Sequence, residues 1–170
     1  MLTPNQEGYL NTVPEGGSVK ISPFDPATQI AAREIISEIN VVLPSTQIFY
    51  IGSSKLGIAG ENDIDIAVIA NGQFNEYLET IKKLYGQPRH ENLDSKYIKW
   101  EFVKNSFPVE LHLNDVITPN LQEQLDTQRL LEENEDFRKE YEQMKLGSNG
   151  LSEREYLKRK YEFWNLILGV

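Results

Sequence analysis

Two runs of β-branched and aromatic residues, 48–51 and 63–70, flank a connection marked by Gly52, Gly57 and Gly60, and this unit constrains the chain most. Such runs form strands, and the glycines suit a tight, backbone-exposing link between them. Side chains alternate along a strand, so Ile64, Ile66 and Val68 take one face while Asp63 and Asp65 take the other. The apolar face anchors the strand, and two carboxylates leave it together.

The same alternation in 107–113 buries Val109 and Leu111 and projects Glu110 with His112. That run forms an expected hairpin with 97–103 around Asn105-Ser106. Helices are expected from Asp25-Pro26 to Pro44, with Ile30, Ile35 and Ile39 at helical spacing, and from Phe74 to Gly86. Beyond Asn120 the pattern is helical, broken at Gly147-Ser148-Asn149-Gly150. Residues 1–18 carry Pro4, Pro14, Gly16 and Gly17 without periodicity and read as an irregular lead-in. Helix, two strands, helix, two strands and then helices predict an α+β domain with a C-terminal helical cap. A chain of 170 residues supports one core, so 117–170 is expected to join 19–116 in one compact domain.

If the strand bearing Glu110 neighbours the one bearing Asp65, three carboxylates converge. Hard divalent cations prefer such oxygen donors, and a pair of ions suits clustered carboxylates in phosphoryl chemistry. Composition narrows the alternatives. The absence of cysteine excludes disulfides, thiolate metal sites and cysteine nucleophiles. A net charge of −9 opposes bulk nucleic-acid binding, so any phosphate must meet a local cation or a metal ion. No signal-peptide pattern or membrane-length apolar window is present, and a cytoplasmic protein without membrane association is expected.

Gly52-Ser53, nine residues and then Asp63-Ile64-Asp65 resembles the signature of the polymerase-beta-type nucleotidyltransferase superfamily. Within it the chain is most similar to the GrpB family. The likeness lies in Val19 through Pro26, Ile51-Gly52-Ser53-Ser54, Leu111-His112-Leu113, Tyr141 through Lys145, and Tyr156 through Lys160 to Phe163. The resemblance implies a nucleotidyltransferase-like mixed sheet flanked by helices. It also implies metal-dependent transfer of a nucleoside monophosphate from ATP or another nucleoside triphosphate to an acceptor hydroxyl, with pyrophosphate released.

The resemblance makes Asp63, Asp65 and Glu110 the catalytic and metal-binding set for Mg2+ or Mn2+. Gly52, Ser53, Ser54 and Lys55 then form the nucleotide-binding turn, with Lys99, His112 and Lys160 as further substrate or phosphate contacts. The acceptor is open: a small molecule, a protein or an RNA end. This chain departs from the family pattern in its shorter loop, in keeping both Asp63 and Asp65, and in lacking Phe-Arg near Thr127-Gln128-Arg129, a role left to Arg129 or Arg138.

Other readings stand beside this one. Gly-Ser followed by Asp-x-Asp also occurs at the solvent edge of ordinary hairpins. Glu101 alternates outward too and rivals Glu110. His90 reads as a solvated loop residue, and Tyr141, Tyr156, Phe163 and Trp164 read as packing. The alternative function is a non-catalytic nucleotide- and metal-binding module of the same fold. A purely structural interaction protein is the third reading.

Overall fold

A computed structural model describes residues 1–14 and 16–170. The elements are α1 (Pro4–Thr12), α2 (Ala27–Val42), β1 (Gln47–Ile51), α3 (Ser53–Leu56), β2 (Ile64–Ile69), α4 (Phe74–Tyr85), β3 (His90–Asn92), β4 (Tyr97–Lys104), β5 (Phe107–Asn114), α5 (Pro119–Glu133), α6 (Glu135–Leu146) and α7 (Glu153–Leu168). One mixed sheet runs β1-β2-β5-β4-β3, in which only β2 and β5 pair in parallel. The α+β expectation and its helical C-terminal portion are observed.

Central strand β2 explains the layering. Ile64, Ile66 and Val68 are fully buried and pack with Leu111, Ile35 and Ile81 beneath α2 and α4. Ala67 and Ile69 are buried on the other face with Leu121 of α5. A strand covered on both faces has little room for charge. Asp65 is therefore the exception in an otherwise apolar run, and its position needs a local reason.

Local chemistry sets the boundaries. The Asp25 carboxylate accepts the Ala27 N–H at 2.9 Å and caps α2. Asn105 and Ser106 take φ of 50° and 73°, the left-handed pair that a two-residue hairpin needs between β4 and β5. Trp100 is buried under α4 and donates its indole N–H to the Gly86 carbonyl where that helix ends.

Two expectations need correction. Residues 4–12 are helical: Thr3 accepts from Gln6 N–H while the Gln6 side chain accepts from Thr3 N–H, a reciprocal capping box. Gln6 is also tied to Glu123 and Asn165, so polar contacts from α5 and α7 hold a segment with no apolar stripe of its own. His90 lies in β3, a three-residue exposed edge strand paired with β4, and not in a loop. Its polarity hid it, since β-propensity signals a half-buried surface and a short exposed edge has none.

At the hairpin tip Lys104 pairs with Glu38 of α2, and Tyr85 donates to the same carboxylate at 2.9 Å. The Lys104 contact holds Glu38 below the usual carboxylate range, and the Glu38 contact raises Lys104. A depressed carboxylate stabilises the fold above its unfolded pKa and loses that effect as pH falls through its folded value. A raised lysine stabilises below its unfolded pKa and loses the effect as pH rises through its folded value. Glu38→Gln should therefore lower stability across neutral pH, by at most about 1 kcal/mol for so exposed a pair. The difference from wild type, followed by thermal melts, should begin to shrink as pH falls below about 4.5 and vanish only below the lowered folded pKa of Glu38.

Candidate active site

Parallel pairing of β2 with β5 sets Asp65 directly beside Glu110, with Ala67 beside His112 one step further. Neighbouring residues in register project from the same face, so two of the three expected carboxylates, Asp65 and Glu110, lie together. One ligand atom each from Asp65, Glu110 and His112 lies within 4.8 Å of the others. Asp63 precedes β2 and lines a cleft with Asp65, whose lining does not include Glu110 or His112, and its charge acts on Asp65. The tight group thus contains His112 along with Asp65 and Glu110, with Asp63 at its border.

Glu110 is already compensated. The Lys99 ammonium lies 2.9 Å from Glu110 Oε1 and 2.8 Å from Glu101 Oε1, and His112 Nε2 lies 3.6 Å from Glu110 Oε2. Tyr97 pairs with His112 Nδ1 at 2.8 Å and orients the ring. His112 and then Lys99 hold Glu110 down at about 2. Burial and the Asp63 charge push Asp65 up to about 8. Adjacent carboxylates are therefore driven apart by their surroundings, an arrangement common in functional sites. Glu101 stands one strand further out on β4, opposite Glu110, with Arg89 3.9 Å away.

The turn after β1 fits closely against the carboxylates. Gly52 takes φ of 89°, and a Cβ there would fall 2.7 Å from Asp65 Oδ2, so backbone conformation and contact both demand glycine. Ser53 is buried and lines the cleft beside Gly60, where a Cβ would fall 2.1 Å from Ser53 Oγ. Ser54 is buried outside the cleft lining, its carbonyl accepting from Gln29 of α2. Lys55 is exposed and lines a separate groove beside β1. The nucleotide-turn expectation thus divides: Gly52 and Ser53 reach the cleft, Ser54 and Lys55 do not.

Helices α5 to α7 build the opposite wall. Lys145 of α6 is 3% exposed, donates to the Tyr156 hydroxyl and lies over the Tyr141 and Tyr156 rings. Lys160 of α7 lines the cleft with its ammonium 4.8 Å from the Trp164 ring centroid. Gln128 of α5 accepts the Gly52 N–H at 3.0 Å and fastens the turn to the cap. Arg138 instead donates to the Leu131 and Glu132 carbonyls, and Arg129 is exposed beside Asp126 and Glu133. Neither arginine lines the cleft.

Sequence reasoning missed Glu61, Thr127, Gln128 and Lys145, and read Trp164 as packing. The signal for Lys145 was its place four residues after Tyr141, on the stripe that packs inward. Thr127 Oγ1 and Trp164 Nε1 are buried in residues lining the cleft, and neither has a protein hydrogen-bond partner among the described residues. An unsatisfied buried donor costs about 1–3 kcal/mol, which a polar ligand would offset. The cleft offers about 70 Å³, room for an ion with a few waters but far short of a nucleotide, so anything larger must extend through its mouth or displace cap side chains.

No curated protein matches this sequence. Among solved structures, the crystal structure of conserved protein GrpB from Enterococcus faecalis is similar at a TM-score of 0.66 and 14% identity, covering 88% of this chain and 97% of that one. At that identity the likeness concerns the fold. The family model for GrpB protein matches residues 18–169, which span the sheet, the carboxylate cluster and all three cap helices. The chain belongs to the GrpB family.

Proposed function

We propose that the cleft binds a nucleoside triphosphate with a divalent cation and transfers a nucleoside monophosphate to an acceptor hydroxyl. The observation that carries this reading is the opposition of two charge types across one small cleft. Asp63 and Asp65 lie on the sheet side, next to Glu110, and Lys145 and Lys160 face them from the cap. Carboxylates suit a cation and ammonium groups suit a polyphosphate, so metal-nucleotide is the ligand class that satisfies both walls.

The donors fit such an ion. Asp65 and Glu110 offer oxygens in register, Asp63 adds a carboxylate at the border, and His112 adds a nitrogen that manganese accepts more readily than magnesium. Bound there, the metal would neutralise phosphate charge and make an attacking hydroxyl more acidic. The protein's own contribution is positional. Gly52 brings main chain against the carboxylates, Tyr97 orients His112, and the cap lysines would hold negative charge within the cleft.

A second reading, a non-catalytic binding module, is favoured by one observation. The Lys99 ammonium bridges Glu110 and Glu101 and supplies in place the positive charge that an ion would bring. Thermal shift tests ligand binding for both readings. Magnesium or manganese together with a triphosphate should raise the melting temperature more than either alone, and chelator should remove the gain. A hundredfold excess over Kd corresponds to about 2.7 kcal/mol and a rise of roughly 5–10 °C for a domain this size. The same rise in chelator would exclude the metal site.

A further inference from the structure

The edge of the sheet at β1 is built unlike the edge at β3. Strand β3 is short, polar and exposed, the usual protection of a sheet edge. Strand β1 reads Gln47-Ile48-Phe49-Tyr50-Ile51, with no charge, proline or bulge to discourage pairing. Among the described residues, no hydrogen bond outside the β1–β2 ladder reaches its main chain. A groove of about 600 Å³ runs along this edge between α2 and α5.

We infer that this groove binds an extended, acidic segment of a partner protein, which adds to the sheet as a strand beside β1. Strand addition supplies main-chain hydrogen bonds for affinity and alternate side-chain pockets for selectivity. Both are present. Ile36 and Ile48 line one side of the edge and Phe49 and Leu125 the other, so residues of an added strand meet apolar surface on both faces.

Charge selects the partner. Arg33 and Lys55 line the groove, are exposed and form no ion pair among the described residues. Arg129 adds a third cation, shared with Asp126 and Glu133 on its own helix, against the single carboxylate of Glu132 in the lining. A chain of net charge −9 thus presents a locally positive slot, which complements glutamate or aspartate between apolar residues. Ile51 and Gln128 line both this groove and the carboxylate cleft, so the segment would end beside the cleft. The inference goes beyond nucleotidyl transfer and does not depend on it.

The probe is a short fluorescent peptide in which valine and glutamate alternate, followed by anisotropy, with hydrogen exchange reading the β1 amides. Expected are saturable binding, slowed exchange along β1, and a loss of about tenfold in affinity for the doubly substituted variant R33E/K55E, whose sites are exposed and leave the core intact. A peptide with alternate backbone nitrogens methylated should not bind. Absence of binding, unchanged β1 exchange, equal binding of the methylated peptide, or equal binding when lysine replaces glutamate would each overturn the inference. A dimer in sedimentation that protects β1 and excludes the peptide would assign the edge to a second copy of this chain.

Discussion

Asp65→Asn should reduce nucleotidyl transfer by at least about 100-fold without unfolding the protein. The measurement is pyrophosphate release and label transfer with each triphosphate, magnesium or manganese, and a cell extract as acceptor pool. Asp65 sits at the centre of the arrangement, beside Glu110 in register and against Gly52, so an amide there removes a metal ligand while keeping shape. Stability separates this from a folding defect. Burial and Asp63 disfavour the charged form of Asp65, so the neutral amide should melt no lower than wild type. Glu110→Gln should follow Asp65→Asn in activity. Loss in Glu101→Gln with Glu110→Gln still active would move the ligand role one strand outward. Transfer surviving in Asp65→Asn would remove the proposed mechanism.

Trp100→Ala carries the largest expected stability effect, about 3–5 kcal/mol measured by urea unfolding. The indole is 1% exposed, fills the space between β4 and α4, and donates to the Gly86 carbonyl at 2.9 Å. Deleting it leaves a cavity and orphans a helix-terminal carbonyl, a loss comparable with much of a domain's net stability. Trp100→Phe keeps most of the apolar volume and loses the hydrogen bond, so its cost should be smaller, about 1–2 kcal/mol. Strand β4 also carries Lys99 and Glu101, so the alanine variant should loosen the cation that holds Glu110.

Alternation and helical spacing were enough to locate most elements. Ile64, Ile66 and Val68 had to share a face, leaving Asp63 and Asp65 together, whatever fold surrounded them. The Asn105-Ser106 hairpin, the Asp25 cap and the Gly86 stop were readable for the same reason: each depends on a few consecutive residues. Helix α1 offered a local start in its Thr3–Gln6 capping box, but it carries no apolar stripe, and the contacts of Gln6 with Glu123 and Asn165 that hold it lie more than a hundred residues away in sequence.

Glu110 marks the boundary between the two kinds of information. Its outward direction follows from Val109 and Leu111 on either side, but only the parallel pairing of β2 with β5 puts it beside Asp65 rather than across the sheet. Lysines show the same division. Lys55 lies next to the turn in sequence, yet it faces a different groove. Lys145 follows Gly52 by most of a domain, yet its side chain reaches the cleft because α6 folds back over it. Periodicity determines which face of a strand or helix a residue takes. What covers that face depends on long-range packing, and here packing turned a lysine on a helical stripe and two aromatic-lined cap helices into one wall of the site.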